Sequence, residues 1–302
     1  MNRLAKHQPQ SKGTYATIAA MSVVALAIVG CNSDSSGSGS MSLDITDAPI
    51  DSASEVNVVF EGVDIRSASG ALVEITYDEP RTINLLDLQG GTTASLLDDE
   101  TLAAGDYEWI RLRVDATQEA GGSNILLDGG EEHDLFIPSS AQTGLKLVSG
   151  FTVPVNGSVS FTIDFDLRRS VVETGGPNPS YHLKPTLRLL DNSQVGSISG
   201  SVSSTTVTEN CSGAVYVYEG ADVAPGDVGG DGNEPLVTAL VDTSGTGVAE
   251  YDYTVAFLTE GDYTVAFTCD ADQDDPEAAE TLTFAGSQNA SVSVVATVSI
   301  DF

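Results

Sequence analysis

The chain is strongly acidic: its 302 residues carry 44 Asp and Glu against 12 Lys and Arg, a formal net charge of −32 at pH 7. A surface of this charge repels phosphate backbones and anionic membranes, which excludes nucleic acid as a partner. Hydrophobic residues make up 41% of the chain, enough for a packed core, and this excludes a disordered protein. The acidity indicates either solubility in a salty medium or binding of divalent cations.

The first thirty residues have the pattern of a cleaved export signal. Arg3, Lys6 and Lys12 precede a mostly small and apolar run over residues 15–29, which is too short and wrongly flanked for a stable membrane span. The run ends in Gly30-Cys31, which resembles a bacterial lipobox. The resemblance implies cleavage before Cys31 and acylation of that residue, so the bilayer becomes a partner. An ordinary signal peptide with an incidental cysteine and an uncleaved anchor remain as alternatives.

Residues 31–40 then form a Ser/Gly-rich linker, which we expect to be flexible. Asn32 directly follows the cysteine. Under the retention rule of enteric lipoproteins, which belongs to the resemblance, Asn32 favours the outer membrane. We therefore expect an exported protein of the cell envelope.

The rest of the chain has the alternating pattern of half-buried strands separated by Gly, Asp and Pro turns. It predicts an all-β protein of two antiparallel β-sandwich domains, immunoglobulin-like or prealbumin-like, over residues 41–192 and 195–302. Residues 92–102 alone have a weak helical pattern. The alternating apolar sets are Leu43/Ile45, Val56/Val58/Phe60, Ile110/Leu112/Val114 with Arg111 and Arg113 on the opposite face, Phe161/Ile163/Phe165/Leu167, Leu187/Leu189, and Val292/Val294/Ala296/Val298/Ile300/Phe302.

A short repeat lies in the second predicted domain. Asp252–Phe257 recurs as Asp262–Phe267, and the intervening Leu258–Gly261 contains a glycine, which predicts a β-hairpin. A related turn, Ala104-Gly105-Asp106-Tyr107, lies in the first domain. We interpret these tyrosines as packing or edge anchors rather than catalytic phenols.

Two cysteines remain after Cys31, and an even pair in an exported domain indicates a disulfide between Cys211 and Cys269. Two free buried thiols are the alternative.

Three blocks of sequence follow one another in the first predicted domain. They are Leu43–Pro49; Leu85–Leu88 with Leu102–Tyr107 and Ile110–Leu112; and Ile137–Ser140 with Thr143–Leu147, Ile163–Asp166 and Leu183–Pro185. Together they resemble a family of bacterial surface lipoproteins that carry a domain of unknown function, the 4382-type domain. The resemblance covers residues 41–191 and implies no known activity, cofactor or catalytic residue. The C-terminal domain resembles prealbumin-like modules.

Enzymatic motifs are few. Beyond the leader the only histidines are His133 and His182, and the chain has no G-x-S-x-G, H-E-x-x-H or P-loop motif. Paired carboxylates for an envelope hydrolase remain an alternative, although acids are too abundant to single out a pair. Asp164 and Asp166 are expected to form surface ion pairs with Arg168 and Arg169.

Calcium is the one cofactor that the sequence suggests. Acids at alternate positions let oxygen ligands converge on a hard cation, although the run lacks the glycine and closing glutamate of an EF-hand. Two solvated acidic loops are the alternative. The first loop contains Asp270, Asp272, Asp274, Asp275 and Glu277, and the second contains Asp227, Asp231, Asn233 and Glu234.

The leading hypothesis is a non-enzymatic, membrane-anchored binding or scaffold module of adhesin-like type, with an unknown protein or glycan as its partner. A calcium-stabilised extracellular module and a carboxylate-based hydrolase are the alternatives.

Overall fold

The structure is a computed structural model that describes residues 37–48, 53–115, 122–136, 144–174, 180–184, 186–230, 232–245, 247–276 and 278–302. The predicted signal peptide, Cys31 and residues 32–36 of the predicted linker lie outside the described residues. Within the described part of the chain, no helix is long and apolar enough to cross a membrane.

The N-terminal half, residues 37–191, is built from two sheets. One has the strand order β13-β10-β1-β4, and the other has the order β11-β12-β7-β6-β2-β5-β8, with β3 paired to β2 and β9 to β5. A short helix, α1 (Leu167–Ser170), follows β10. The strands are β1 (Ser38–Ala48), β2 (Ala53–Ser67), β3 (Leu72–Asn84), β4 (Ala94–Ala103), β5 (Gly105–Asp115), β6 (Asn124–Leu127), β7 (Glu132–Phe136), β8 (Leu145–Leu147), β9 (Phe151–Val153), β10 (Ser158–Asp166), β11 (Val171–Thr174), β12 (Ser180–Leu183) and β13 (Leu187–Asp191).

The C-terminal half, residues 195–302, is also built from two sheets, ordered β17-β14-β20 and β16-β15-β18-β19. Among the described residues, no strand of one half pairs with a strand of the other. The strands are β14 (Val195–Ser203), β15 (Gly213–Glu219), β16 (Val237–Val241), β17 (Glu250–Thr259), β18 (Gly261–Thr268), β19 (Phe284–Val292) and β20 (Thr297–Ser299).

Each half has its own hydrophobic core between its sheets, as the alternating pattern predicts. In the N-terminal half, Ile45, Ile65, Leu112 and Ile163 are fully buried. In the C-terminal half the equivalent layer includes Ile198, Val217, Val255 and Phe267. The all-β sandwich prediction is confirmed, with the strands mostly antiparallel. The separation of residues 41–192 and 195–302 into independent domains stays a prediction.

Strand β15 is buried on both faces. Val215 and Val217 face the main core, while Tyr216 and Tyr218 belong to a second, smaller core on the other side of the sheet. Loops after β15 and β18 cover this second core. The two acidic loops, for which the sequence left calcium binding and solvation as alternatives, are therefore folded over a sheet.

The first strand begins earlier than expected. Residues 38–40, predicted to be linker, form the start of β1, where Ser38 pairs with Ala103 of β4 and Ser40 with Ser158 of β10. Gly39 fits this position because a Cβ there would lie 2.3 Å from the Pro154 carbonyl oxygen. The Ser/Gly composition of residues 38–40, which is typical of a flexible spacer, is therefore also compatible with a tightly packed strand.

The weak helical pattern at residues 92–102 is wrong as a prediction. These residues enter β4, in which Leu96, Leu97 and Leu102 are buried. Pairing with β1 and burial of three leucines outweigh a local helical preference.

The predicted hairpin over the repeat is also wrong. Strand β17 pairs with β14, whereas β18 pairs with β15 and β19, so the two copies of the repeat lie in opposite sheets. Tyr253 and Val255 enter the core from one sheet, and Tyr263 and Val265 enter it from the other. The connection is a sandwich corner, because both strands bury the same residue types into one core.

Parallel pairs close one sheet in each half. β1 pairs in parallel with β10, and β14 pairs in parallel with β20. Strands β7 and β12 form another parallel pair. Placing the first strand beside a late one leaves it with a partner on both edges.

The two halves share this strand plan. In each, the first strand lies between an antiparallel strand and a parallel one (β4 and β10; β17 and β20), and a corner leads to the next strand (β5; β18). Gly39 and Gly196 are equivalent: a Cβ on either would lie 2.3 Å from one carbonyl oxygen and 2.7 Å from another. A repeated architecture therefore underlies two sequences that show no long repeat.

Candidate functional sites

The predicted disulfide between Cys211 and Cys269 is confirmed, with 4.5 Å between the two Cα atoms. Cys269 directly follows β18, and Cys211 lies shortly before β15. The carbonyl oxygen of Cys211 also accepts a hydrogen bond from the Thr243 hydroxyl at 2.7 Å. The bond fixes the base of the loop that carries the first acidic run.

The two acidic loops meet at one point. Carboxylate oxygens of Asp227, Asp274 and Glu280 lie within 4.8 Å of one another, the one such group of acids, histidines and cysteines within the described residues. Asp227 and Asp274 are only 7% and 6% exposed. Asp227 and Asp274 were predicted as ligands, and Glu280 was not. No spacing in the sequence singles out Glu280, because the loop fold brings it back to Asp227.

Hydrogen bonds explain why the loops converge. The Val228 N–H donates to Asp274 at 3.0 Å, and the Glu280 N–H donates to Asp227 at 2.5 Å. The Tyr216 hydroxyl donates to the other oxygen of Asp274. The two buried carboxylates thus join the loops to each other and to β15.

Tyr218 borders the same region, and its hydroxyl donates to the Gly226 carbonyl oxygen at 2.6 Å. Burial raises the pKa of the Tyr218 phenol well above its usual value, and the nearby negative charges of Asp274 and Asp227 raise this pKa further. The phenol therefore stays a neutral donor next to the acids.

The other predicted calcium ligands are placed differently. Asp270 accepts a hydrogen bond from the Thr283 N–H at 2.8 Å, which ties it to the strand region beyond the loop. Asp272 lies in the 3-10 turn Ala271–Gln273, where it is exposed. It is not part of the cluster that contains Asp274. Asp275 lies next to the cluster, where its N–H donates to Glu280 at 3.3 Å.

In the second loop, the Asn233 amide donates to the Ala224 carbonyl oxygen at 3.1 Å, and Glu234 forms an ion pair with Arg169 of the N-terminal half. Asp231 and Glu277 lie outside the described residues. The alternating acids therefore do not converge as a set.

The expected ion pairs of Asp164 and Asp166 are partly confirmed. Asp166 caps α1 by accepting the Arg169 N–H at 3.1 Å and lies 3.7 Å from the Arg169 guanidinium. Asp164 pairs with Arg188 of β13 and is buried rather than at the surface, and the side chain of Arg168 lies outside the part that the structure describes. The register of β10 and β13 places Asp164 directly opposite Arg188, which a local pattern does not reveal.

The two histidines lie in the sheet of β7 and β12. The His133 ring packs 4.9 Å from Tyr181, and the His182 ring packs 5.4 Å from Phe136. Ser180 Oγ lies 3.4 Å from His182 Nε2. The two ring contacts join β7 to β12, and the contact of Ser180 with His182 lies within β12.

A cleft of about 290 Å³ lies between the halves. Asp47, Asp164 and Asp252 contribute to its lining together with Tyr253 and Phe257. Asp164 is already engaged by Arg188 in this cleft.

A basic face lies on the outer side of the large sheet of the N-terminal half; we define it as Arg66, Trp109, Arg111, Arg113 and Lys146. Register puts these side chains on one side, because Arg66 opposes Trp109 across β2 and β5, and Arg111 opposes Lys146 across β5 and β8. Directly opposed residues in an antiparallel pair share a face. The residues between them, Ile65, Ile110, Leu112, Leu145 and Leu147, are buried in the core.

Asp64 lies beneath the basic face and contacts two of its arginines. Its carboxylate is fully buried and accepts from Arg111, whose Nε lies 2.9 Å from Oδ2. The Arg113 Nε lies 3.4 Å from the other carboxylate oxygen, and Arg113 Nη2 donates to the Ile75 carbonyl oxygen at 2.9 Å. The guanidinium groups are therefore held in place.

The single tryptophan of the chain lies at one end of the basic face, opposite Arg66. The Lys146 ammonium is 4.5 Å from the Trp109 ring centroid, and the Arg111 guanidinium carbon is 5.7 Å from it. Such cation–π contacts orient the indole ring.

Comparisons with known proteins give one family. Residues 38–185 match the model described as Domain of unknown function (DUF4382). The comparison with curated proteins gives no match.

Among solved structures, the chain is similar to a leucine-rich repeat protein from Bacteroides thetaiotaomicron (13% identity, TM-score 0.22, 88% of this chain and 26% of that chain). It is also similar to the Bacillus anthracis TIE protein (10%, TM-score 0.23, 87% and 34%) and to GBS52, a minor pilin of Streptococcus agalactiae (10%, TM-score 0.20, 87% and 94%). The chain spans about a quarter and a third of the first two structures. Likenesses this distant carry no conclusion about function. Residues 38–185 match the DUF4382 family model, the family that the three sequence blocks resemble.

Proposed function

We propose that the protein is an envelope lipoprotein anchored through acylated Cys31. It acts as a non-enzymatic binding or scaffold module of adhesin-like type. The basic face of the N-terminal half is the observation that carries the proposal. It is a set of four cations and an indole ring on the outer side of a sheet, each at least partly exposed.

The shape of this face favours a macromolecular partner. Small-molecule sites are concave and bury most of their ligand, whereas these side chains stand on the open side of a sheet. Trp and Arg are enriched at interfaces because they combine large contact areas with strong polar contacts. Buried Asp64 fixes the arginines before any partner arrives, which lowers the entropic cost of binding.

Export and lipid anchoring are supported by the lipobox-like leader and by the Cys211–Cys269 disulfide, a bond that persists in oxidising compartments. In this proposal the leader, residues 1–30, is removed, and the acylated protein resides in the outer membrane.

The anchoring is tested in the native host. A Cys31→Ser variant should lose incorporation of labelled fatty acid and move from the membrane to the soluble fraction. A variant that stays in the membrane fraction without label would contradict lipid anchoring.

The binding function is tested by adhesion of purified protein to cell envelopes. Trp109→Ala and Lys146→Glu should reduce retention, while Lys184→Glu, an exposed charge reversal outside the basic face, should not. Equal retention of all variants would contradict a role for this face.

A second candidate, a calcium-stabilised module, is favoured by the convergence of Asp227, Asp274 and Glu280. Carboxylate oxygens are the ligands that calcium prefers, and two of these groups are buried, where their mutual repulsion is weakly screened. Calcium at 100 times its Kd would stabilise the folded state by about 2.7 kcal/mol.

Melting curves with calcium and with chelator test this candidate. Glu280→Gln should abolish the calcium-dependent increase in Tm, and Asp272→Asn should keep it, because Asp272 lies outside the cluster. A Tm of the wild type that is unchanged by calcium would contradict the candidate.

A further inference from the structure

We propose that the basic face binds a carboxylated polysaccharide, a chain of uronic acid residues; this inference rests on the binding function proposed above. The carrying observation is the placement of the charges. Nine of the twelve Lys and Arg lie after Cys31, and Arg66, Arg111, Arg113 and Lys146 are four of those nine.

The concentration of positive charge contrasts with the rest of the molecule. With 44 acids in the chain, most of the surface repels a polyanion, so a polyanion can approach only where cations are gathered. Three acids share the face: Asp64 and Glu74 oppose each other across β2 and β3, and Asp115 follows Arg113 by two residues at the end of β5. Asp64 is fully buried beneath the arginines, and Glu74 is exposed at the β3 border. The centre and the β8 side are therefore positive.

The chemistry of the arginines fits carboxylates. A guanidinium offers several N–H donors in a planar fork that matches a carboxylate group. Arg111 already uses Nε and Nη2 to hold the carboxylate of Asp64. The side chains of Arg111 and Arg113 are 25% and 28% exposed, so both remain partly accessible from solvent.

Trp109 adds a surface for a sugar ring. The C–H face of a pyranose packs on an indole face, and cations beside the ring can reach the carboxylate of the same sugar. Lys146 is the exposed member of the set and lies over the indole. Its flexible stem lets the ammonium move onto the bound carboxylate while the sugar takes its place on the ring.

The geometry favours an extended polymer. Strands β2, β5 and β8 are neighbours at about 4.8 Å, and residues two apart along β5 are separated by about 6.8 Å. The cations are thus spread over several sugar lengths on an open face. An anionic membrane would meet few apolar side chains to insert here: the exposed ones are Leu72 at the β3 border and Val148 just after β8, and Lys146 covers part of the indole.

The test uses the full chain after residue 31 with polygalacturonate, in chelator so that calcium cannot bridge the acids. Trp109 is the only tryptophan, so its emission reports directly on the face. We expect a saturable change in Trp109 emission, an affinity that falls as salt increases, and no change with neutral dextran. Calorimetry should give an affinity about tenfold weaker for Lys146→Glu and for Arg66→Glu, a loss of about 1.4 kcal/mol. Lys184→Glu is the matched control and should bind as the wild type does.

The proposal is overturned if polygalacturonate leaves Trp109 emission unchanged, or if Lys146→Glu and Lys184→Glu bind it equally. Equal binding of dextran sulfate or of phosphatidylglycerol vesicles also overturns it, since the face would then recognise negative charge alone. Retention on cell envelopes that depends on Lys146, without polygalacturonate binding, would reject the glycan and leave the binding function standing. If the protein neither binds polygalacturonate nor needs Lys146 for retention on cell envelopes, both proposals are rejected.

Discussion

Asn156 and Val295 occupy the same place in the two halves of the chain. Their φ angles are +54° and +55°, and each lies in the turn before the strand that pairs in parallel with the first strand of its half. The Asn156 N–H donates to the Ser38 carbonyl oxygen and the Val295 N–H donates to that of Val195, both at 2.8 Å. Asn tolerates the left-handed region, whereas a β-branched residue is strained there.

We therefore predict that Val295→Asn stabilises the C-terminal half by about 1 kcal/mol. Val295 is 79% exposed, so the substitution removes no packing. Urea unfolding measures the change. The reciprocal Asn156→Val should destabilise the N-terminal half by a similar amount, and a lower stability of Val295→Asn would contradict the strain argument.

Tyr107 and Tyr263 form tyrosine corners at equivalent positions. Their hydroxyls donate to the carbonyl oxygens of Ala103 and Thr259, four residues earlier, at 2.8 Å. Replacing either tyrosine by Phe should cost about 1 kcal/mol of unfolding free energy, because the carbonyl loses its donor. Tyr251→Phe is the control, since its hydrogen bond to Gly245 is open to solvent. A corner variant as stable as this control would contradict the prediction.

Removal of the disulfide should destabilise the C-terminal half. The bond closes a loop with a sequence separation of 58, which corresponds to about 4 kcal/mol in the chain-entropy model. Urea unfolding of Cys211→Ser/Cys269→Ser, followed by far-ultraviolet circular dichroism, measures this loss. Trp109 emission reports on the N-terminal half, and its midpoint should not move if residues 41–192 fold as a separate domain. A common shift of both signals would argue for one cooperative unit.

Alkaline pH should destabilise the protein through its buried tyrosines. Burial raises the pKa of Tyr218 and of Tyr253 above the usual value near 10, and neighbouring acids raise both further. Folded protein keeps these protons at a pH at which unfolded chains lose theirs, so stability is complete below about pH 10 and falls as the pH increases above it. Urea midpoints between pH 8 and 11 measure the slope, which Tyr253→Phe should reduce. An unchanged slope in that variant would contradict the assignment.

The sequence predicts strands well where burial decides them and predicts partners poorly. Ile110, Leu112 and Val114 alternate with Arg111 and Arg113, and the structure buries the first set and leaves the second on the outer face. The two copies of the repeat fit a hairpin and a sandwich corner equally, because the choice depends on which sheet each strand joins. The disulfide followed from the count of cysteines alone.

The sequence predicted only some residues of each site, because it does not show which strands and loops become neighbours. Asp227 and Asp274 were found as acids in turns, but Glu280 joins them only through the fold of two loops over β15. Arg111 and Arg113 were placed on one face, but Arg66 and Lys146 reach them through register across β2, β5 and β8. Local spacing carries no information about which strands become neighbours.

The parallel pairs β1–β10 and β14–β20 impose an order on folding. In each half the first strand pairs with a strand that comes much later in the sequence. Contacts of high sequence separation must therefore form before the sheet is complete. Because a chain is synthesised amino end first, the N-terminal half can close once β10 and β13 have been made. The C-terminal half cannot complete its sheet until residues 297–299, which form β20, have been made. The edge of β14 that β20 later covers is therefore exposed longest during folding, and chaperone protection is needed most there.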